Sequence, residues 1–213
     1  GHFYPAGDPR FKQEDADLED NYDAIVVDPV ERCRLFGMMR YGNLVCYHSP
    51  AVGWVYLLHK DTAPEKALRY VGPYNNEASD QIMSVWGHAI RTGDPEHLRI
   101  AERYSRAVAD VGFVHAWPGH PERVGLMHYH NAHQWSGNLS PSHSLVSGIL
   151  TDYYMTGNRR LLDIARETAD RIVHTQEPAG IIACRNGALH REFTGPLSVL
   201  LDVYQATWEE KYG

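Results

Sequence analysis

The fold of this chain is decided by two segments, IRTGDPEHLRIAERYSRAVADV (residues 90–111) and YYMTGNRRLLDIARETADRIV (residues 153–173). In each, a Thr-Gly pair is followed by Asp or Asn and then by apolar residues at helical spacing. Glycine is favoured at the left-handed stop of a helix, and Asp and Asn are good caps of the next helix. Each segment therefore predicts the end of one helix, a tight turn and the start of a second helix.

These two segments form an internal repeat. Superposing Gly93 on Gly157 also brings apolar positions of the following helices into register, and these pairs are Leu98 with Leu162, Ala101 with Ala165, and Val108 with Ile172. A third unit begins with an apolar helix predicted from Pro196 to Trp208, and Tyr212-Gly213 stands where its stop is expected. Each unit is a helical hairpin that has one apolar face and needs neighbours to bury it.

Helical hairpins can stack as an open solenoid or close into a ring. In a ring, the loops that precede the inner helices meet at one mouth, and here these loops are Tyr74–Asp80, His128–His143 and Gly187–Thr194. Polar and aromatic residues collect in the same three loops, which favours the ring. The predicted fold class is therefore all-α, an incomplete (α/α) toroid with short β-hairpin loops such as 181–194. Residues 52–59 are expected to be weakly helical.

Two domains are predicted. Residues 1–30 are acidic and poor in apolar side chains, which is typical of an extended or loosely attached arm. Residues 31–213 form the helical-hairpin domain, truncated in its last repeat. The 43% hydrophobic content suffices for one sizeable core, and the net charge of −7 gives no sign of a nucleic-acid or anionic-membrane partner. Three scattered cysteines are too few for a disulfide framework.

The loop HYHNAHQWSGNLSPSH (residues 128–143) holds four histidines, a tryptophan and a tyrosine and leads into an apolar helix. It is almost free of aliphatic residues and is therefore a poor core segment. Histidine changes its charge near neutral pH, and aromatic rings stack on sugars. This loop is consequently the leading candidate for a substrate cleft, and a surface loop with chance histidines is the alternative.

The two repeat segments, the Asn75-Asn76-Glu77 loop and the histidine-rich loop together resemble six-hairpin (α/α) toroid carbohydrate-active enzymes, most closely the exo-rhamnogalacturonan-lyase-like group and neighbouring polysaccharide lyases. The resemblance covers residues 40–213. It implies β-elimination on a uronate-containing acidic polysaccharide or oligosaccharide, no required cofactor, and a secreted or periplasmic location. A full ring needs more helices than this chain supplies, and a second copy of the chain, in a homo-oligomer, would complete it.

The resemblance also implies which loop residues take which role in the reaction. A uronate lyase must neutralise the carboxylate, remove the C5 proton and protonate the departing oxygen. The catalytic candidates are His130 or His128 as the base and Tyr129 or Tyr74 as the acid. The carboxylate would be held by Asn76 and His133 with Arg191 as an aid, and Trp135 would stack on the sugar. His143 either faces the cleft or is hydrogen-bonded beneath the helix end.

Three alternatives remain open from the sequence. A glycoside hydrolase on the same fold needs two carboxylates, and Glu77, Asp80 and Glu192 lie in the mouth loops, although acidic groups there also suit helix N-termini. His128, His130 and His133 have a His-x-His-x-x-His spacing that would suit a divalent metal. A non-catalytic helical scaffold that binds carbohydrate is the third alternative.

Overall fold

The computed structural model describes residues 6–23, 44–49, 53–56, 71–74, 80–128, 139–175 and 191–213. This part of the chain is mostly helical, as predicted. Among these residues no helix combines the length and apolar character needed to cross a bilayer. The six α-helices of the described residues, numbered in chain order, are α1 (Lys12–Tyr22), α2 (Gln81–Thr92), α3 (Pro95–Ala107), α4 (Ser147–Thr156), α5 (Arg159–Thr175) and α6 (Arg191–Thr207).

The two Thr-Gly turns are confirmed and have the same construction. Gly93 and Gly157 are left-handed, with φ of 67° and 74°, and their N–H groups donate to the carbonyls of Ala89 and Tyr153. After each glycine, the backbone N–H of Asp94 or Asn158 donates to the hydroxyl of the preceding threonine, at 3.3 and 3.2 Å. The α2–α3 and α4–α5 pairs are therefore two copies of one hairpin.

A third copy of the turn ends α6, but at a different place from the one predicted. Trp208 takes the left-handed conformation (φ 57°), its N–H donates to the Tyr204 carbonyl at 2.7 Å, and the N–H of Glu209 donates to the Thr207 hydroxyl at 3.2 Å. The prediction that Tyr212-Gly213 forms this stop is wrong. It failed because a tryptophan occupies the position that glycine normally takes, and left-handed geometry costs a side chain about 1–2 kcal/mol.

Apolar faces of the hairpins pack into one core. Helix α2 packs on α3 and α4, α4 on α5, and α5 on α6. Trp86 is 2% exposed, and its indole N–H donates to the Ser105 hydroxyl at 2.7 Å, which ties α2 to α3. The register predicted from the repeat is reflected in the burial of Ala101 and Ala165, both 0% exposed. Each Å² of apolar surface that is buried contributes about 25 cal/mol. This core is therefore the main source of stability.

The N-terminal acidic segment is helical rather than extended. Helix α1 covers residues 12–22 and is attached to the first hairpin, because Arg91 forms an ion pair with Asp15 and Tyr22 is 6% exposed inside the core. The expectation of a loosely attached arm fails because one buried tyrosine and one partly buried ion pair outweigh the low apolar content.

A three-stranded antiparallel sheet occupies the segment between α1 and α2. Its strands are β1 (Leu44–Ser49), β2 (Gly53–Tyr56) and β3 (Val71–Tyr74), in the order β2-β1-β3. The weak helix predicted for residues 52–59 is therefore wrong over Gly53–Tyr56, because aromatic and β-branched residues favour strands when a partner strand is available. Helix α6 begins at Arg191, five residues before the predicted start, and the hairpin predicted for 181–194 is helical over its last four residues.

Candidate functional site

The start of α2 lies against the start of α4. Gly148 in α4 is so close that a Cβ there would lie 2.5 Å from the Cβ of Ile82 and 2.7 Å from Oδ1 of Asp80. In the same way, a Cβ on Gly195 in α6 would lie 2.7 Å from the carbonyl oxygen of Ser142, in the short 3₁₀ turn that precedes α4. Two glycines thus allow the beginnings of three helices to adjoin.

Asp80 connects two of these helix starts. Its carboxylate accepts the backbone N–H of Met83 at 3.1 Å and that of Gly148 at 3.0 Å, while its own backbone is left-handed. Burial raises the pKa of Asp80, and the two backbone N–H donors oppose that shift. Since both carboxylate oxygens are occupied by backbone donors, Asp80 has the contacts of a helix cap rather than of a general acid.

A second carboxyl group lies beside the same junction. The hydroxyl of Ser147 donates to the carboxylate of Asp202, which belongs to α6. Burial raises the pKa of Asp202 as well, and the Ser147 and Ser198 hydroxyls oppose this. Asp80, Ser147 and Asp202 therefore form a polar junction that joins α2, α4 and α6. Glu77 lies outside the described residues, and the side chain of Glu192 is likewise not described, so Asp80 is the one predicted carboxylate whose place at this junction is described.

The histidine-rich loop has a well-defined base. His128 and Leu139 form an antiparallel β-bridge, and the N–H of Met127 donates to the Ser144 hydroxyl at 2.8 Å. The His128 side chain is 6% exposed, with its ring centroid 6.2 Å from that of Trp117. The bridge closes a loop of ten residues, 129–138, directly before the turn that contacts α6. His128 consequently belongs to the base of this loop.

His143 is 1% exposed, so its ring lies inside the protein. Tyr74 ends β3, where its backbone pairs with Leu44, and Arg191 begins α6. The remaining predicted site residues lie outside the described residues, and they are Asn76, Tyr129, His130, His133 and Trp135. The metal site predicted at His128, His130 and His133 therefore has only its first member described.

A different cluster of side chains that can bind a metal ion lies at the first hairpin. Glu19 of α1, His88 of α2 and His97 of α3 each offer one ligand atom, and these atoms all lie within 4.8 Å of one another. Oε2 of Glu19 is 3.1 Å from Nε2 of His88, and Oε1 is 3.7 Å from Nε2 of His97. Burial lowers the pKa of His88, with the Glu19 carboxylate opposing that shift. The cluster could hold a divalent metal.

Aromatic contacts fix the two imidazoles of this cluster. The Tyr22 ring is stacked on His88 with centroids 4.1 Å apart, and it lies 4.6 Å from the His97 ring. Sequence reasoning missed this site because the segment that contains Glu19 was expected to be an extended arm rather than a helix packed on the first hairpin. The repeat marks only the two histidines as a difference between the hairpins, since His88 and His97 stand where the second hairpin has Asp152 and Leu161.

A cleft of about 390 Å³ lies between the first and second hairpins, lined by charged side chains such as Asp110, Asp152 and Arg160. Arg160 already donates to Asp110 at 2.8 Å, and the carboxylate of Asp152 accepts the Thr156 hydroxyl at 2.9 Å. These charged groups already have ion-pair or hydrogen-bond partners within the protein. This cleft is therefore a weaker candidate for a functional site than the helix starts.

Comparisons with known proteins add no family. No protein-family model matches the sequence, and the search of curated proteins found no match.

Proposed function

We propose that this chain contributes to an (α/α) toroid that cleaves a uronate-containing polysaccharide by β-elimination at the mouth formed by its inner-helix starts. The observation that carries the proposal is the junction of the helix starts. Asp80 binds the N–H of Gly148, and Gly195 contacts Ser142, so segments distant in the chain adjoin at one end of the hairpins. Convergence of these ends is what a toroid requires.

The base of the histidine-rich loop supports the same placement. The bridge between His128 and Leu139 fixes both ends of residues 129–138 next to the turn that contacts α6. A loop attached in this way can present histidines and an aromatic ring to a sugar bound over the helix starts. Leu197 and Leu201 of α6 are exposed, as is Trp208 directly after its end, and the next hairpin of a ring would pack on these residues.

The reaction assigns three tasks to this chain. Asn76 and His133, aided by Arg191, hold the uronate carboxylate and so make the C5 proton more acidic. A neutral histidine removes that proton, the C5–H electrons form the C4–C5 double bond, and the C4–O bond breaks. Tyr129 or Tyr74 protonates the departing oxygen. Because His128 is 6% exposed at the loop base, His130 is the better base of the two histidines.

The direct test is a screen of uronate-containing polysaccharides in which the ultraviolet absorbance of the unsaturated product and the release of reducing ends are measured in parallel. We expect both signals with wild-type protein. His130→Ala should lower turnover several hundred-fold, within the roughly 10²–10⁴-fold that general acid–base catalysis contributes. The matched control is His120→Ala, an exposed histidine in the turn after Trp117, which should leave turnover unchanged.

Each other outcome contradicts the proposal in a specific way. Reducing ends without the unsaturated product would indicate a glycoside hydrolase. Saturable sugar binding without turnover would indicate a carbohydrate-binding scaffold. Unchanged turnover in His130→Ala would remove the assigned base, and inactivity towards every uronate polymer without sugar affinity would overturn the function altogether.

A further inference from the structure

We propose that Glu19, His88 and His97 form a binding site for a divalent transition metal of the zinc type, which fastens α1 to the first hairpin. Two imidazole nitrogens and one carboxylate are a ligand set that zinc accepts with one position left for water. Among the described residues, this is the one group of three metal-type side chains whose ligand atoms are mutually close. The site is independent of the proposed reaction and lies on different residues.

The spacing of the ligand atoms suits a small metal ion. Zinc lies about 2.0–2.2 Å from its nitrogen and oxygen ligands, so tetrahedral ligands are roughly 3.3 Å apart. The separations of Glu19 from His88 and His97, 3.1 and 3.7 Å, bracket that value. Calcium and magnesium prefer sets of oxygen ligands, whereas imidazole suits zinc, copper, iron and nickel. The predominance of nitrogen ligands therefore selects the second group.

The His88 nitrogen supplies an independent sign of a missing ligand. The residue is 9% exposed, and its Nε2 is buried without a hydrogen bond of good geometry from any described residue, although Glu19 is close. A buried polar atom left in this way costs about 1–3 kcal/mol, so such atoms are rare in native proteins. A metal coordinated by Nε2 would satisfy it.

His97 is oriented by a residue of the repeated turn. Its Nδ1 lies 3.1 Å from the hydroxyl oxygen of Thr92, whose own hydrogen can be donated to the Ala89 carbonyl at 3.3 Å. When the Thr92 hydrogen is donated to Ala89, Nδ1 carries the ring proton, and the Nε2 lone pair is then available to a metal. Metal-binding histidines commonly donate their other ring nitrogen to an outer partner in this manner, and removal of that partner typically weakens binding 10- to 100-fold.

The consequence of binding is a tighter attachment of α1. Tyr22 is the one buried residue among the described side chains of that helix, and its ring covers both histidines. A metal held by one ligand from each of α1, α2 and α3 would cross-link the three helices. It would stabilise the folded chain in proportion to its binding, because the unfolded chain does not hold the three ligands together.

The test is zinc titration of the chelator-treated protein by calorimetry, with thermal unfolding followed by circular dichroism in parallel. We expect one zinc equivalent per chain and a higher unfolding temperature with zinc. Glu19→Gln and His97→Gln should each weaken zinc binding by more than about 100-fold. Glu19 is half-exposed, so its variant should fold even if a histidine variant does not. Glu14→Gln, an exposed change on α1, is the control.

Thr92 offers the sharper test, because the second hairpin contains its counterpart. Thr92→Val should weaken zinc binding about 10- to 100-fold, whereas Thr156→Val removes an equivalent turn hydrogen bond and should leave zinc affinity unchanged. Equal zinc affinity in both threonine variants would overturn the role of Thr92. The site itself would be overturned if wild-type protein binds no zinc. The same conclusion would follow if His130→Gln/His133→Gln removes zinc binding while Glu19→Gln and His97→Gln retain it.

Discussion

The first and second hairpins share a frame but differ in what they place on it. In both hairpins the first helix ends at a left-handed glycine. The hydroxyl of the threonine before that glycine accepts the backbone N–H of the residue after it. At equivalent positions the first hairpin has His88 and His97, and the second has Asp152 and Leu161. The shared residues are those that build the turn and the core. The differing ones determine which segment covers each hairpin and with what chemistry.

The covering segments differ accordingly. Helix α1 covers the first hairpin through an aromatic stack on two imidazoles and the Arg91–Asp15 ion pair. The second hairpin is covered by the 3₁₀ turn Glu210–Tyr212, where the Tyr212 hydroxyl donates to Asp170 at 2.8 Å. A repeated frame can thus accept unrelated neighbours, because its apolar positions are fixed while its outer polar positions are free to vary.

The largest effect is expected where the two hairpins meet. Gly148→Ala would place a methyl group 2.5–2.7 Å from Ile82 Cβ, Asp80 Oδ1 and the Met83 nitrogen, and two of these belong to backbone or a Cβ that cannot move alone. We expect it to lower the free energy of unfolding by about 3 kcal/mol, measured by urea denaturation. A loss below about 1 kcal/mol would show that the helices are not in this close contact.

The two hairpins also offer a comparison of ion pairs. The Arg91 side chain is 8% exposed and that of its partner Asp15 is 17% exposed, whereas Arg160 and Asp110 are 57% and 44% exposed. Arg91→Ala should therefore lower the free energy of unfolding more than Arg160→Ala does, and the loss in Arg160→Ala should stay below about 1 kcal/mol. Raised salt should weaken the second pair more than the first. Equal losses in urea denaturation of the two variants would contradict the attachment of α1.

The residues that end α2, α4 and α6 allow a prediction of whether each substitution stabilises or destabilises the chain. Gly93→Ala and Gly157→Ala should each cost about 1 kcal/mol, because each glycine is left-handed and a methyl group would meet nothing within 4 Å. Trp208→Gly should act in the opposite direction and stabilise the chain by up to about 1 kcal/mol, since its side chain is 74% exposed. Destabilisation by Trp208→Gly would show that the indole contributes more through Tyr204 than its backbone geometry costs.

A smaller effect is expected at Asp152, and it depends on pH. Burial raises the pKa of Asp152 above its ordinary value of 3.8, with the Thr156 and Ser105 hydroxyls opposing the shift. The protonated group therefore stabilises the folded state at low pH, and this contribution is lost as pH rises from 3.8 through the raised pKa. In Asp152→Asn, the decrease in the free energy of unfolding that comes from this titration should be absent.

The control for Asp152 is Asp163→Asn, an exposed carboxylate that changes the net charge equally. Unfolding free energies of wild type and both variants are compared from pH 4 to pH 8. If Asp152→Asn follows the wild-type profile, Asp152 does not titrate as its burial implies.

Sequence reasoning predicted the frame because the frame is local. The stops at Gly93 and Gly157, the cap Asp94 and the apolar spacing of α3 and α5 each depend on residues within a few positions of one another. The stop at Trp208 was missed because its signal is backbone hydrogen bonding rather than residue type. The sheet was missed because strand formation depends on partners distant in the chain.

The polar sites were less predictable than the frame. Asp80 was selected as a mouth residue, and it lies at the junction of helix starts, but as a cap for two helices. The cluster at Glu19, His88 and His97 was not predicted, because α1 was expected to be an extended arm. Its geometry depends on how three helices meet, and one sequence does not contain that information locally.

The most direct test of the difference between the hairpins is anomalous diffraction at the zinc absorption edge from crystals of zinc-loaded protein. One strong peak should lie within bonding distance of Glu19, His88 and His97, with no zinc at the equivalent positions Asp152 and Leu161. A peak in the loop 129–138 alone, or no ordered zinc at the first hairpin under saturating metal, would contradict it.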